Sequence, residues 1–212
     1  MLYSNVVLRK MTIFWKLFSK KRTAVVVGIA FFTIGALAGV YAFSNKGLPS
    51  EFVSTRDKAA VVSQDIVNLT NQTNETLERA NKLDIEGMGT QTLSIIDEAR
   101  ATNSGAYQKA FQLSGYLKDL AESLRYISNR ESQRVAYEAI ATELGLVSEF
   151  IVYTKNVSKF LDELSLAVSQ NTAINRNAAR SSLDEANDSA KKINALNNQF
   201  LQKMGEFDAS VR

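Results

Sequence analysis

A single proline, Pro49, stands in the chain of 212 residues, and none follows it. Proline inside a helix removes a hydrogen bond and clashes with the preceding turn, at a cost of about 3 kcal/mol, so a stretch this long without one is free to run as uninterrupted helix. A sandwich or barrel of many short strands needs turn residues at every reversal, and ten glycines with one proline cannot supply them. The expected fold class is all-α.

The apolar pattern supports that class. Beyond Pro49, apolar or small residues recur at alternating steps of three and four, the spacing that lines one face of a helix. The first stretch, about 51–83, carries Ala59, Val62, Ile66, Leu69, Thr73, Thr76 with Leu77 beside it, Ala80 and Leu83, and its apolar face weakens in the middle. The second, about 92–127, runs from Ile96 through Ala99, Asn103, Ala106, Ala110 and Leu113 to Ile127 with an almost unbroken heptad pattern. The third, about 132–169, presents Ala136, Ile140, Leu144, Val147, Ile151, Thr154, Leu161, Leu164 and Val168, flanked by Phe150, Val157 and Phe160. The fourth, about 173–208, gives Ala179, Leu183, Ala186, Ala190, Ile193, Asn197, Phe200, Met204 and Phe207.

Between these stretches lie Gly87-Met88-Gly89-Thr90, Ser128-Asn129-Arg130-Glu131 and Ser169-Gln170-Asn171-Thr172, turn and capping signals that allow only short connections. Short connections make successive helices antiparallel neighbours, so residues 51–212 are expected to form an antiparallel up-down-up-down four-helix bundle about 50 Å long. A dimerising helical hairpin and an extended coiled coil are the alternatives. A single-chain bundle is favoured because four comparable seams can close one core. The turns at Gly87 and Asn171 then share one end, and Pro49, Ser128 to Arg130 and the C-terminus share the other.

Charge divides the chain unevenly. Arg9, Lys10, Lys16, Lys20, Lys21 and Arg22 make residues 1–23 a basic arm without an acid, whereas residues 51–212 hold 18 basic against 22 acidic groups. Nucleic-acid binding would want a basic stripe on the folded part, so no nucleic-acid partner is expected. Residues 24–43, from Ala24 to Phe43, contain no charge, and at 1.5 Å per residue their length matches the hydrocarbon core of a bilayer. They are read as a transmembrane helix acting as a signal anchor, with residues 44–50 a juxtamembrane hinge. The positive flank keeps the N-terminus cytoplasmic and places the bundle outside the cytoplasm. A cleaved secretory signal ending near Val40-Tyr41-Ala42 is the competing reading, but this apolar stretch is longer than an ordinary signal core, even with a start at Met11. Gly35 and Gly39 form a GxxxG spacing that lets two membrane helices approach, a candidate homodimer face.

Several chemistries are excluded by composition. Without cysteine or histidine there is no disulfide, thiolate zinc site or His-dependent triad, and no Glu-x-x-His pair for a di-iron bundle. Neither a phosphate-binding loop of the GxxxxGK[ST] type nor a GxGxxG fingerprint occurs. No catalytic residue, cofactor or metal is expected. Asn68, Asn71, Asn74, Asn156 and Asn187 each open an Asn-x-Ser/Thr triplet, but all fall inside expected helices rather than loops. Counting from the distal turns, Thr73, Asn103, Thr154 and Asn187 share one height in a regular bundle. They form a candidate polar core layer, which either fixes helix register or lines a pocket for a small polar ligand.

The plan of an anchor at 24–43 leading into four long helices resembles the four-helix sensory domains of bacterial chemoreceptors. The resemblance implies ligand sensing outside the cytoplasm. Those receptors continue into a second membrane helix and a cytoplasmic signalling region, whereas this sequence ends after its fourth helix, so signal output is expected to need another protein. The expectation carried forward is a non-catalytic, single-pass membrane protein whose bundle acts as an interaction or scaffold module for another envelope protein. A ligand-sensing accessory module and a secreted bundle are the alternatives.

Overall fold

The computed structural model describes residues 48–170 and 172–211. Within them the chain is four long helices: α1 (Ser50–Ile85), α2 (Gly89–Ser123), α3 (Arg130–Gln170) and α4 (Ala173–Val211), with a 3-10 turn, Leu124–Tyr126, after α2. No strand occurs among the described residues. The all-α class and the four-helix bundle are therefore found. The transmembrane segment 24–43 and the Gly35/Gly39 face lie outside the described residues, within which no helix is long and apolar enough to cross a membrane.

The helix ends follow from local chemistry. Pro49, with φ −58° and ψ 139°, starts α1, and its carbonyl accepts the Val53 N–H at 3.1 Å. At the far end Gly87 takes φ 78°, a left-handed conformation that glycine adopts without a side-chain clash. Met88 N donates to Leu83 O at 2.9 Å and Gly87 N to Asp84 O at 3.0 Å, the paired bonds of a Schellman motif. Asn129 caps α3, its Oδ1 accepting from Glu131 N at 2.9 Å and Ser132 N at 3.2 Å. Thr172 caps α4 by accepting from Asn175 N at 3.2 Å. The periodicity extends α2 to residue 127, but the α-helix stops at Ser123 and tightens into the 3-10 turn, closed by Ile127 N donating to Leu124 O at 3.0 Å.

Packing is closest within α1/α2 and within α3/α4, with α2 against α3 joining the two hairpins. Small buried residues permit that approach: Ala99, Ala106 and Ala110 on α2, and Ala179, Ala186 and Ala190 on α4. Larger side chains fill the space between the hairpins, among them Leu77, Ile96, Leu117, Phe150, Phe160, Leu161 and Ile193, all essentially without exposure. Each such side chain contributes about 1.5–3 kcal/mol through removal of apolar surface from water. Phe52 and Phe207, with ring centroids 6.2 Å apart, bring the start of α1 to the end of α4. Ser132 Oγ donates to Ser210 O at 3.0 Å, so the α2–α3 connection lies at that same end.

Ion pairs between helices record the antiparallel register. Asp65 meets Lys109 at 2.6 Å and Arg79 meets Glu98 at 3.2 Å across α1/α2. Arg100 meets Asp162 at 2.9 Å across α2/α3. Lys203 meets Glu138 at 2.9 Å and Lys192 meets Glu149 at 3.5 Å across α3/α4. All are partly solvated and contribute little individually, but together they identify which residues stand at the same height.

Candidate functional site: polar layers in the helical core

The buried faces are not wholly apolar. Thr73, Asn103 and Thr154 are at most 2% exposed, while Asn187 is half-buried beside the fully buried Ala186. Two of the four expected layer residues are joined directly. Asn103 Nδ2 donates to Thr154 O at 2.8 Å and to Ser158 Oγ at 2.9 Å, tying α2 to α3. Thr154 turns its hydroxyl back to Ile151 O at 3.0 Å, and Thr73 turns its own to Leu69 O at 2.9 Å, so both hydroxyls are satisfied within their helices. Asn187 is not brought into the layer. At that height α4 instead presents Ser189, whose Oγ accepts from Asn156 Nδ2 at 3.5 Å.

The residue that completes the layer on α1 is Asn74, adjacent to Thr73. Pairs 65/109 and 79/98 place it opposite residues 100–103 of α2. It is 5% exposed, and neither Oδ1 nor Nδ2 has a hydrogen-bond partner. An unpartnered amide in a core costs free energy that a paired one does not, because both its donor and its acceptor have left water. Neither Asn74 nor its missing partners could be read from apolar spacing, which marks Thr73, Thr76 and Leu77 as the inward positions and passes over Asn74.

A second polar layer lies nearer the Pro49 end. Phe52 meets Phe207 and Asp84 lies in the field of Arg176, so residues of α1 and α4 whose numbers total about 260 stand at one height, which sets Ser63 opposite Asn197. The α3/α4 pairs 138/203 and 149/192 set Asn197 within one residue of Glu143. Ser63 is 2%, Glu143 6% and Asn197 5% exposed, and Ser63 Oγ and Asn197 Oδ1 have no hydrogen-bond partner. Burial alone pushes the Glu143 carboxyl up to about 8, with no opposing charge to bring it back. The sequence reading assigns Leu144 to the core at this turn. That is corrected here: Leu144 is 37% exposed and Glu143 is buried. The signal was present in the heptad Ala136, Glu143, Phe150, Val157, Leu164, all five of which are buried. An apolar-only criterion rejects its one charged member.

On the outer surface, an open groove of about 880 Å³ runs between the first half of α1 and the second half of α2. Leu48, Val53, Val61 and Tyr116 form its apolar part, and the Asp65–Lys109 ion pair crosses it. Along the outside of α3, Tyr137, Leu144, Val152 and Leu166 are 37–49% exposed, and their spacing of seven, eight and fourteen places them on one side of the helix. No group of three or more acidic side chains that could hold a metal occurs among the described residues. Compared with protein-family models, curated proteins and solved structures, the chain matches none.

Proposed function

We propose that this protein is a single-pass, membrane-anchored helical bundle whose rigid outer surface binds another envelope protein, and that it is not an enzyme. The observation that carries the reading is the apolar line Tyr137, Leu144, Val152 and Leu166 on the solvent side of α3. Large apolar side chains aligned over several turns are costly to leave in water and mark interaction surfaces more often than scattered ones do. The uncharged stretch 24–43 with Lys20, Lys21 and Arg22 before it supplies the anchor, with the N-terminus in the cytoplasm and the bundle outside it. A helix of 41 residues such as α3 spans about 60 Å, enough to hold a binding surface well clear of a bilayer. Gly35 and Gly39 would serve a homodimer through the anchor.

Native mass spectrometry of the full chain, extracted gently from its own membranes, tests this. An intact chain carrying a second polypeptide that is lost in the Leu144→Lys, Val152→Lys variant is the expected result. An intact chain that carries no polypeptide, or one that both forms retain, overturns the α3 surface. A mature N-terminus near Phe43 overturns the anchor.

The second reading, an accessory sensor for a small polar ligand, is favoured by one observation, the unpartnered amide of Asn74 at the height of Asn103. A ligand offering one donor and one acceptor would satisfy it. Its signature is a small mass on the intact protein and a ligand-dependent rise in melting temperature that Asn103→Leu abolishes. A rise that survives this substitution counts against the pocket.

A further inference from the structure

The outer side of α3 carries more order than an apolar line. From Arg134 to Ser169 its exposed residues advance by three or four without a break, the stripe by which a helix meets one further helix. Ser148 stands near the middle of that stripe. Four residues to either side of it lie Leu144 and Val152, eleven to either side Tyr137 and Lys159, and fourteen to either side Arg134 and Asp162. Laid on itself end for end, the stripe sets aliphatic on aliphatic, cation on aromatic ring and base on acid. We propose that the occupant of this face is a second copy of the chain, its α3 packed antiparallel about a two-fold axis at Ser148. The inference rests on the α3 surface proposed above and names the envelope partner that covers it.

In a two-fold contact of this kind residue i meets j and j meets i, so each pairing occurs twice. Leu144 packs on the partner's Val152, and the small exposed side chains of Ala141 and Ser148 let the helix axes approach. Lys159 lies over the partner's Tyr137, whose ring face attracts a cation. Arg134 meets the partner's Asp162, and exposed Lys155 stands one turn from the partner's Glu138. Within one copy Arg134 bonds Glu131 and Glu138, Lys159 bonds Glu185 and Asp162 bonds Arg100. Those pairs are solvated, so exchanging or sharing them costs little.

Parallel pairing would set Arg134, Lys155 and Lys159 each against its own copy, like charge on like, which flanking charges in paired helices select against. The antiparallel overlap from Arg130 to Leu166 is about 54 Å long at helix rise. A strip about 10–12 Å wide then removes about 600 Å² from each copy, near the lower bound of a stable interface. On the anchored reading, the Pro49 ends of the two bundles leave in opposite directions. The contact therefore joins copies held in facing membranes, and it is separate from a parallel contact through Gly35 and Gly39 within one membrane.

The chain has no cysteine, so one introduced thiol reports one position. Full-length chains carrying Ser148→Cys, Arg134→Cys or Asp162→Cys are oxidised mildly in detergent, where the anchors no longer fix direction. Ser148→Cys lies on the axis and should link to itself. Arg134→Cys lies about 42 Å from its own copy by helix rise and should not, but mixed with Asp162→Cys it should form the linked pair. Adding Leu144→Lys and Val152→Lys to the Ser148→Cys chain should abolish the link. Equal self-linking of Ser148→Cys and Arg134→Cys means parallel pairing and overturns the proposal, as does a link that survives the added double substitution. No link at Ser148, together with a different polypeptide in the native mass spectrum that the double substitution removes, overturns the second copy and leaves the α3 face standing. Absence of any link and of any bound polypeptide overturns both. Should a thiol variant fail to fold, the unsubstituted chain decides, because the bound polypeptide should then have the chain's own mass of 23.4 kDa and any other mass overturns the pairing.

Discussion

Two asparagines at one height of the core should respond to substitution with opposite signs. The Asn103 Nδ2 is bonded to Thr154 O and Ser158 Oγ, and together with the Arg100–Asp162 ion pair it ties α2 to α3 in that register. Asn103→Ala removes both bonds and leaves the Thr154 carbonyl and the half-buried Ser158 hydroxyl without this donor, so it should cost about 1–3 kcal/mol in urea unfolding. Asn74 has the same side chain without partners, and its amide is buried at a loss. Asn74→Leu trades that loss for apolar contact and should raise stability by about 1 kcal/mol or more. A destabilised Asn74→Leu variant would mean that this amide has a bonding partner in solution. If the prediction holds, the residue is retained against stability, which is the behaviour expected of a group reserved for something other than folding.

Along a helix, the same contrast between filling and shape decides what glycine does. Gly87 sits at φ 78° with open space around its Cα, so Gly87→Ala meets no clash but must hold an L side chain in the left-handed region. A loss of about 1 kcal/mol is expected, and melting temperature will show it. Gly105 and Gly145 lie inside α2 and α3, where an added Cβ would touch Leu69 at 3.6 Å and Leu196 at 3.9 Å, ordinary contact distances. Alanine there should add about 0.5–1 kcal/mol each by reducing the freedom of the unfolded chain. A loss at either site would mean that the hairpins pack more tightly than these distances allow.

The helices themselves were legible in the sequence because burial rewards steps of three and four, and α2 follows them without exception from Thr92 to Leu120. Legibility failed where a polar residue holds an inward position. At Glu143 the eye moves to Leu144, and at Asn74 it moves to Thr73. Counting from the turns found Asn103 and Thr154 because those two helices meet directly. It misplaced Asn187 because a count along the axis fixes height but not the direction in which a side chain points. One residue is a rotation of about 100°, sufficient to move Asn187 from the core to its margin.

For the molecule as a whole, the weakest part of the design is the seam between α1 and α4. Helices adjacent in sequence pack most intimately, while these two are the farthest apart along the chain and must be closed at the largest loop entropy. Phe52 and Phe207 close that seam at the Pro49 end, their rings tilted by 45° at 6.2 Å, and both belong to the core cluster. Phe207→Ala or Phe52→Ala alone should each cost about 3–5 kcal/mol, the range for emptying a buried aromatic site. The pair together should cost less than the sum, by about 0.5–1.5 kcal/mol, because the second truncation removes a ring whose partner has already gone. Amide exchange adds a spatial reading. In either single variant, protection should fall first in the opening turns of α1 and the closing turns of α4, while the Gly87 turn, at the far end of the bundle, keeps its own. Strict additivity with a uniform loss of protection would mean that the two rings do not act as one closure. The bundle's ends would then be held independently of each other, and a surface carried on α3 would keep its shape even when the seam beside it opened.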